Sequence, residues 1–122
     1  MNLDFEKEAY IKFLENQNLH FEKSDEYFAI RDDGKIIATG AYKDNVIKLL
    51  AVDADYREEG FLPKIISHIK DELLSKGFKT TYIFTKPEYE SMFNSLSYKT
   101  FAKTDKMLLL SLIHISEPTR LL

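Results

Sequence analysis

The sequence predicts an α/β (α+β) domain, a mixed and mainly antiparallel sheet flanked by helices. Three observations predict it. Short β-rich segments separated by Asp, Asn and Gly turns fill residues 27–52. Leu62, Ile65, Ile66, Ile69, Leu73 and Leu74 then make one wide apolar stripe at helical spacing. A further β-rich run, Thr80-Thr81-Tyr82-Ile83-Phe84, follows that helix, and a helical crossover calls for parallel pairing.

The elements follow in order. Phe5, Ala9, Tyr10, Phe13 and Leu14 recur at helical spacing up to about Asn16, with Asp4 as the expected N-cap. A polar connector from Asn16-Gln17-Asn18 to Ser24-Asp25 packs Leu19 and Phe21 as the chain turns back. Tyr27 to Arg31 is the first strand. Asp32-Asp33-Gly34-Lys35 turns it, because Asp-Gly supplies the left-handed conformations of a tight hairpin. Lys35 to Tyr42 is the second strand, with Gly40 as the expected bulge. Lys43-Asp44-Asn45 turns the chain into Val46–Val52, which is apolar on both faces at its end and is expected at the sheet's centre. The helix after Gly60 should run to about Lys76 and close on Gly77, with Pro63 tolerated in its first turn. His68 is expected to flank its stripe. Pro87 to Leu96 reads as a short helix turning Tyr89, Met92, Phe93 and Leu96 inward. Tyr98–Ala102 and Lys106–Leu110 close the sheet as antiparallel strands.

Composition narrows the function classes. The chain has 122 residues, the size of one domain. A net charge of -3 gives no footprint for nucleic acid or an anionic membrane. No cysteine is present, which excludes disulfides, thiolate metal sites and a cysteine nucleophile, and agrees with an expected cytoplasmic location. No apolar run is as long as a membrane span, and the acidic start Met1-Asn2-Leu3-Asp4-Phe5-Glu6 is unlike a secretory signal. Scattered histidines without paired carboxylates give no metal site.

The chemistry is expected between the third strand and the long helix. Arg57-Glu58-Glu59-Gly60-Phe61-Leu62 joins them. A helix start leaves N–H groups unpaired and carries partial positive charge, which suits a phosphate or another anion. Gly60 lets such a ligand approach the backbone. Glu58 and Glu59 should turn to solvent, since inward carboxylates would repel phosphate. Arg57 either offsets phosphate charge or pairs with a Glu, and Phe61 either covers the helix start or lies over a base. Asp53, Asp55 and Glu59 are candidate general bases, each more readily read as a solvated acid. Lys86 stands at the carboxyl end of the parallel strand, where ligands gather in open α/β sheets, and is read as a ligand contact or a solvated loop lysine. No residue is assigned a catalytic role.

With its β-meander, Arg57-x-x-Gly60 turn, long helix, strand, short helix and closing strands, the chain resembles the GNAT acyltransferase superfamily. The resemblance implies that the turn amides hold the pyrophosphate of acetyl-CoA and that the preceding strand, here Leu50, Ala51 and Val52, bonds the pantetheine arm. The cofactor-binding set it implies is Leu50, Ala51, Val52, Arg57, Glu58, Glu59, Gly60, Phe61 and Leu62. Gly40, Asn45-Val46-Ile47-Lys48, Ala51-Val52, Tyr56, Gly60, Phe84-Thr85-Lys86-Pro87-Glu88 and Met92-Phe93 look like the amino-terminal domain of the [citrate (pro-3S)-lyase] ligase family, over residues 5–109. That implies a GNAT-like domain ahead of a nucleotidyltransferase domain, which uses ATP to adenylate acetate. The acetyl group then passes to the CoA-derived prosthetic group of the citrate lyase acyl carrier subunit. Three positions depart from the GNAT pattern. Leu62 replaces Gly or Ala, Phe93 replaces the tyrosine that protonates the leaving thiolate, and Ser97-Tyr98 replaces Gly-Phe. A strand ahead of the first helix is also missing from the expected order. Two functions follow, an acyltransferase domain or a non-catalytic docking module for a CoA-like arm, with an inactive fragment as the bland alternative.

Leu110 to Arg120 resembles the in-frame translation of a transposase adaptor. The expected division is therefore residues 1–109 as the GNAT-like domain and 110–122 as a non-native tail, with the downstream domain truncated and His114 excluded from function. The rival reading makes Leu108 to Ile115 a genuine closing strand.

Overall fold

A computed structural model describes the backbone of residues 3–113 and the side chains of residues 7–112. Helix α1 (Leu3–Asn16) leads through a connector into strands β1 (Glu26–Asp32), β2 (Lys35–Lys43) and β3 (Val46–Val52). A 3-10 turn (Ala54–Glu59) precedes α2 (Phe61–Ser75) and β4 (Thr80–Thr85). A second short 3-10 turn (Pro87–Tyr89), α3 (Glu90–Ser95), β5 (Lys99–Lys103) and β6 (Leu108–Ile113) complete the order. The six strands lie as β1-β2-β3-β4-β6-β5, and only the β3–β4 pair is parallel. The expected mixed, mainly antiparallel sheet is therefore the observed one. α1 begins by Leu3, a residue ahead of the expected Asp4 cap, and the Phe5 side chain lies outside the described residues.

Each face of the sheet carries its own core. Tyr10, Phe13 and Leu14 of α1 cover Ile36, Ala41, Leu49 and Ala51. On the opposite face Leu62, Ile65, Ile66, Ile69 and Leu73 of α2 cover Ala38, Tyr42, Ile47, Leu50 and Val52, and α3 adds Phe93. Burying each of those aliphatic side chains stabilises the fold by roughly 1.5–3 kcal/mol, so the α2 stripe dominates its docking. Two expected inward residues are corrected. Leu74 and Leu96 are 43% and 37% exposed, because each falls at its helix's last turn, past the sheet it would cover.

The turns follow local chemistry. Asp33 and Gly34 take φ of 55° and 80°, as a two-residue hairpin turn requires. At the end of α2 the Phe78 N–H donates to Leu73 O and the Gly77 N–H to Leu74 O, with Gly77 left-handed at φ 96°. The same two-bond pattern ends α3, where Tyr98 N–H reaches Phe93 O and Ser97 N–H reaches Asn94 O. There Ser97 holds the left-handed position at φ 76°, which explains how a serine stands in the usual glycine place.

Two further readings change. The sheet irregularity does occur opposite Gly40, but the extra residue lies on β3: Thr39 pairs with Ala51 and Ala41 with Lys48, so Leu49 and Leu50 together oppose Gly40. β6 runs on through Leu110, Ser111, Leu112 and Ile113, which pair with Ile83, Tyr82, Thr81 and Thr80 of β4. His114 and the remaining residues lie outside those described. Among the described residues no helix is long and apolar enough to cross a membrane.

Candidate functional site

β3 and β4 begin together and then part. Their parallel register holds Val46 to Tyr82 and Ile47 to Ile83 and goes no further. The cause is the bulge on β3. Leu49 takes φ 56°, a conformation that costs a bulky L-residue roughly 1–2 kcal/mol. Its carbonyl is fixed by a 2.9 Å bond from Thr39 Oγ1, inside the sheet. Gly40 makes the room, since a Cβ there would lie 2.6 Å from Ile65 Cγ2 and 3.2 Å from Leu50 Cδ2. Tyr10 Oη donates to Gly40 O at 2.8 Å and holds the same point from the α1 side. Backbone strain kept in place by such packing is a mark of functional sites. Past the bulge, the Leu50–Val52 edge facing β4 carries no ladder partner from that strand.

The turn that follows is ordered from within. Asp53 Oδ1 accepts from Asp55 N at 2.9 Å, and Asp53 also lies 3.6 Å from Lys35 Nζ. Asp53 is thus a cap rather than a free base. Tyr56 Oη donates to Asp32 Oδ2 at 2.7 Å, which pushes its own pKa up to about 12. Gly60 then takes φ 77° and ψ 20°, and no side chain caps the start of α2. A Cβ at Gly60 would meet nothing within 4 Å, so the space above the turn is open. Glu58 and Glu59 are exposed, as expected, and Leu62 is buried in the core at 3% exposure instead of filling the socket. Phe61 is half-buried with its ring 6.1 Å from that of Tyr56. These features fit a diphosphate held by main-chain donors. Pro63, the third residue of α2, supplies no N–H and narrows the donor set to the residues before it.

The loop after β4 closes toward this turn. Arg57 Nη1 lies 3.2 Å from Glu88 Oε2, and its guanidinium stands 6.0 Å from the Tyr89 ring centre. Tyr89 is buried, its hydroxyl finds no hydrogen-bond partner, and it faces the Val52 main chain. Burial raises the Tyr89 pKa, with Arg57 opposing. Lys86 is half-buried and donates to Gln17 O, so it ties the loop to the connector after α1. It is therefore no solvated loop lysine, and burial lowers its pKa. Phe93 is fully buried, in the inward place expected of it, and offers no acidic proton. His68 is exposed, 3.5 Å from Glu72, with its ring 5.1 Å from Phe28, and so flanks the stripe.

Where β3 and β4 part, the α1 side opens into a cavity of about 210 Å³. Asn18, Leu19, His20, Glu22, Lys48, Leu49, Leu50, Phe84, Thr85 and Met107 line it. Of the sequence-derived set only Leu50 borders it. Glu88 was legible only within the Phe84-to-Glu88 motif and Tyr89 only as an inward residue, and most of the cavity's lining was not assigned to the site from sequence. Thr85 alone had a signal, its place at the carboxyl end of the parallel strand. Among the described residues no group of three or more His, Asp or Glu side chains converges to hold a metal ion.

No family model matches the chain. A [citrate [pro-3S]-lyase] ligase from Haemophilus influenzae is 30% identical over 88 residues, 70% of this chain and 26% of the relative. The chain thus spans about a quarter of the length of the curated relatives it matches. The ribosomal-protein-S18-alanine N-acetyltransferase of Escherichia coli superposes with a TM-score of 0.65 at 17% identity, covering 94% of this chain and 92% of that one. N-acetylglutamate synthase from Neisseria gonorrhoeae, solved with coenzyme A and N-acetyl-glutamate, gives a TM-score of 0.67 at 14% identity over 95% of this chain and 34% of its own. The chain has the GNAT acetyltransferase fold, and its sequence relatives are the [citrate (pro-3S)-lyase] ligases.

Proposed function

We propose that this chain binds acetyl-CoA or a CoA-derived prosthetic group and serves a citrate lyase ligase that acetylates the prosthetic arm of the lyase's acyl carrier subunit. The observation that carries the reading is the Leu49 bulge. It parts β3 from β4 ahead of the Arg57-to-Leu62 turn and leaves the Leu50–Val52 edge without a ladder partner from β4. In this reading the main chain at Glu58, Glu59, Gly60, Phe61 and Leu62 holds the diphosphate, Arg57 adds charge, and Leu50–Val52 hold the pantetheine amides. Coenzyme A would supply the thioester. The protein's own part is to bind and orient it, and main-chain donors along the seam would stabilise charge on the thioester oxygen.

A second reading, a docking module without turnover, is favoured by Phe93, which offers no proton to a leaving thiolate. Titration of the full chain with acetyl-CoA and with desulfo-CoA tests binding, and thioester loss with an amine acceptor tests turnover. Saturable binding with turnover supports the enzyme, and binding without turnover supports the docking module. No binding of either, with the chain folded by circular dichroism, overturns both. Gly60→Ala should weaken binding, because the left-handed turn costs any L-side chain about 1 kcal/mol or more and a Cβ would enter the open space above it.

A further inference from the structure

We propose that two copies of this chain pair edge to edge through β1, antiparallel and centred on Phe28, so that their sheets run on as one. The inference is independent of the coenzyme A reading.

The sheet ends in two edge strands, and they are built differently. β5 carries Lys99 and Lys103 at its ends, is exposed throughout, and has its ladder interrupted at Phe101. Those are the devices that keep an edge from pairing with another chain. β1 reads Glu-Tyr-Phe-Ala-Ile-Arg-Asp, with an apolar middle of half-buried residues and neither lysine nor proline. Its outer side has no ladder partner among the described residues. Beside it, on the α2 face, lies a groove of about 350 Å³, walled by Phe28, Ile30 and Ile65 and bordered by Lys64 and His68 of α2.

The order of charges along this edge selects the occupant. α2 runs against β1. Tyr56, ahead of the helix, bonds Asp32. The His68 ring lies 5.1 Å from that of Phe28. Glu72, one turn on, accepts from Tyr42, whose ladder partner is Glu26. Lys64, one turn before His68, therefore stands at the level of Ile30. Opposed residues of a ladder share a face, so a two-fold axis at Phe28 sets Ile30 of one copy opposite the partner's Glu26. Each Lys64 then meets the partner's Glu26, and each Asp25 lies opposite the partner's Arg31. No like charges are opposed in this register. Centring on Ala29 would instead oppose Glu26 to Asp32, which costs stability. The groove lining holds two basic side chains and no carboxylate, and Glu26 from the second copy supplies one.

The test is sedimentation equilibrium of the full chain, with circular dichroism to confirm folding. A monomer–dimer equilibrium with a Kd of about 1–100 μM is expected for an interface of this kind. Glu26 and Lys64 are exposed, so the fold does not depend on either. Glu26→Lys and Lys64→Glu should each weaken association about tenfold, because symmetry counts every exposed pair twice. The variant carrying both changes should regain the dimer. Phe101→Lys, at the other edge, should leave association unchanged. A folded chain that stays monomeric to about 1 mM overturns the proposal. So does a dimer that ignores both charge reversals, one that Phe101→Lys dissolves, or growth beyond two copies, since a two-fold edge pairing closes on itself.

Discussion

The Arg57 guanidinium lies 3.2 Å from the Glu88 carboxylate and so joins the turn after β3 to the loop after β4, across the seam where those strands part. Both side chains are nearly half exposed, so the pair contributes about 0–1 kcal/mol to stability and yields readily to a stronger anion. Glu88→Gln should leave the melting temperature almost unchanged and tighten CoA binding about two- to fivefold at low salt, by freeing Arg57 for phosphate. Arg57→Ala should weaken it. Calorimetric titration at two salt concentrations reads both, and an effect of Glu88→Gln that survives high salt would argue against the charge mechanism.

Tyr89 places an unpartnered hydroxyl against the Val52 main chain, where a pantetheine amide is expected to bond. Tyr89→Phe keeps the ring and removes that orphan group. It should leave the fold as stable or raise stability by up to about 1 kcal/mol, and it should tighten CoA binding. Denaturant unfolding and titration of the same variant check the two halves separately.

Gly40 and Ile65 are expected to couple. Gly40→Ala puts a methyl 2.6 Å from Ile65 Cγ2, an overpacking that costs about 1–3 kcal/mol. In the double variant with Ile65→Ala part of that cost should vanish, giving a non-additive cycle in urea unfolding. Additive losses would place the strain elsewhere in the bulge.

Alkaline stability should depend on Tyr98. It is 2% exposed with an unpartnered hydroxyl, and burial pushes its pKa up to about 12. The folded state thus holds the proton more tightly than the unfolded chain, where tyrosine titrates near pH 10. The resulting stability is complete below about pH 10 and falls by about 2–3 kcal/mol as pH rises to 12. Tyr98→Phe should flatten that part of the fall, measured as melting temperature against pH. Tyr10, raised further by burial, adds a decline of the same sign that the variant keeps.

Most of the framework was legible because it rests on local chemistry. The α2 stripe, the Asp33-Gly34 turn and the Gly60 and Gly77 stops each need only neighbouring residues. The site was half legible for the same reason. Gly60 announces its turn, but Leu49 carries no mark of the positive φ that parts the strands. That conformation is held by Thr39, whose hydroxyl bonds the Leu49 carbonyl, and by the register opposite Gly40, which come together only in the folded sheet. Arg57 with Glu88 and Lys86 with Gln17 are likewise long-range pairs that no spacing rule reaches. Ser97 hid its left-handed turn behind a residue type that seldom takes one.

The placing of β6 between β4 and β5 bears on how the chain comes off the ribosome. Until residues 108–113 emerge, β4 has an open side and β5 has no neighbour in the sheet. An unpaired strand edge is the template on which nascent chains stick to one another. Sheet closure therefore waits on residues 108–113, and slow translation or chaperone shortage before they emerge should show up as aggregation rather than as a less stable product.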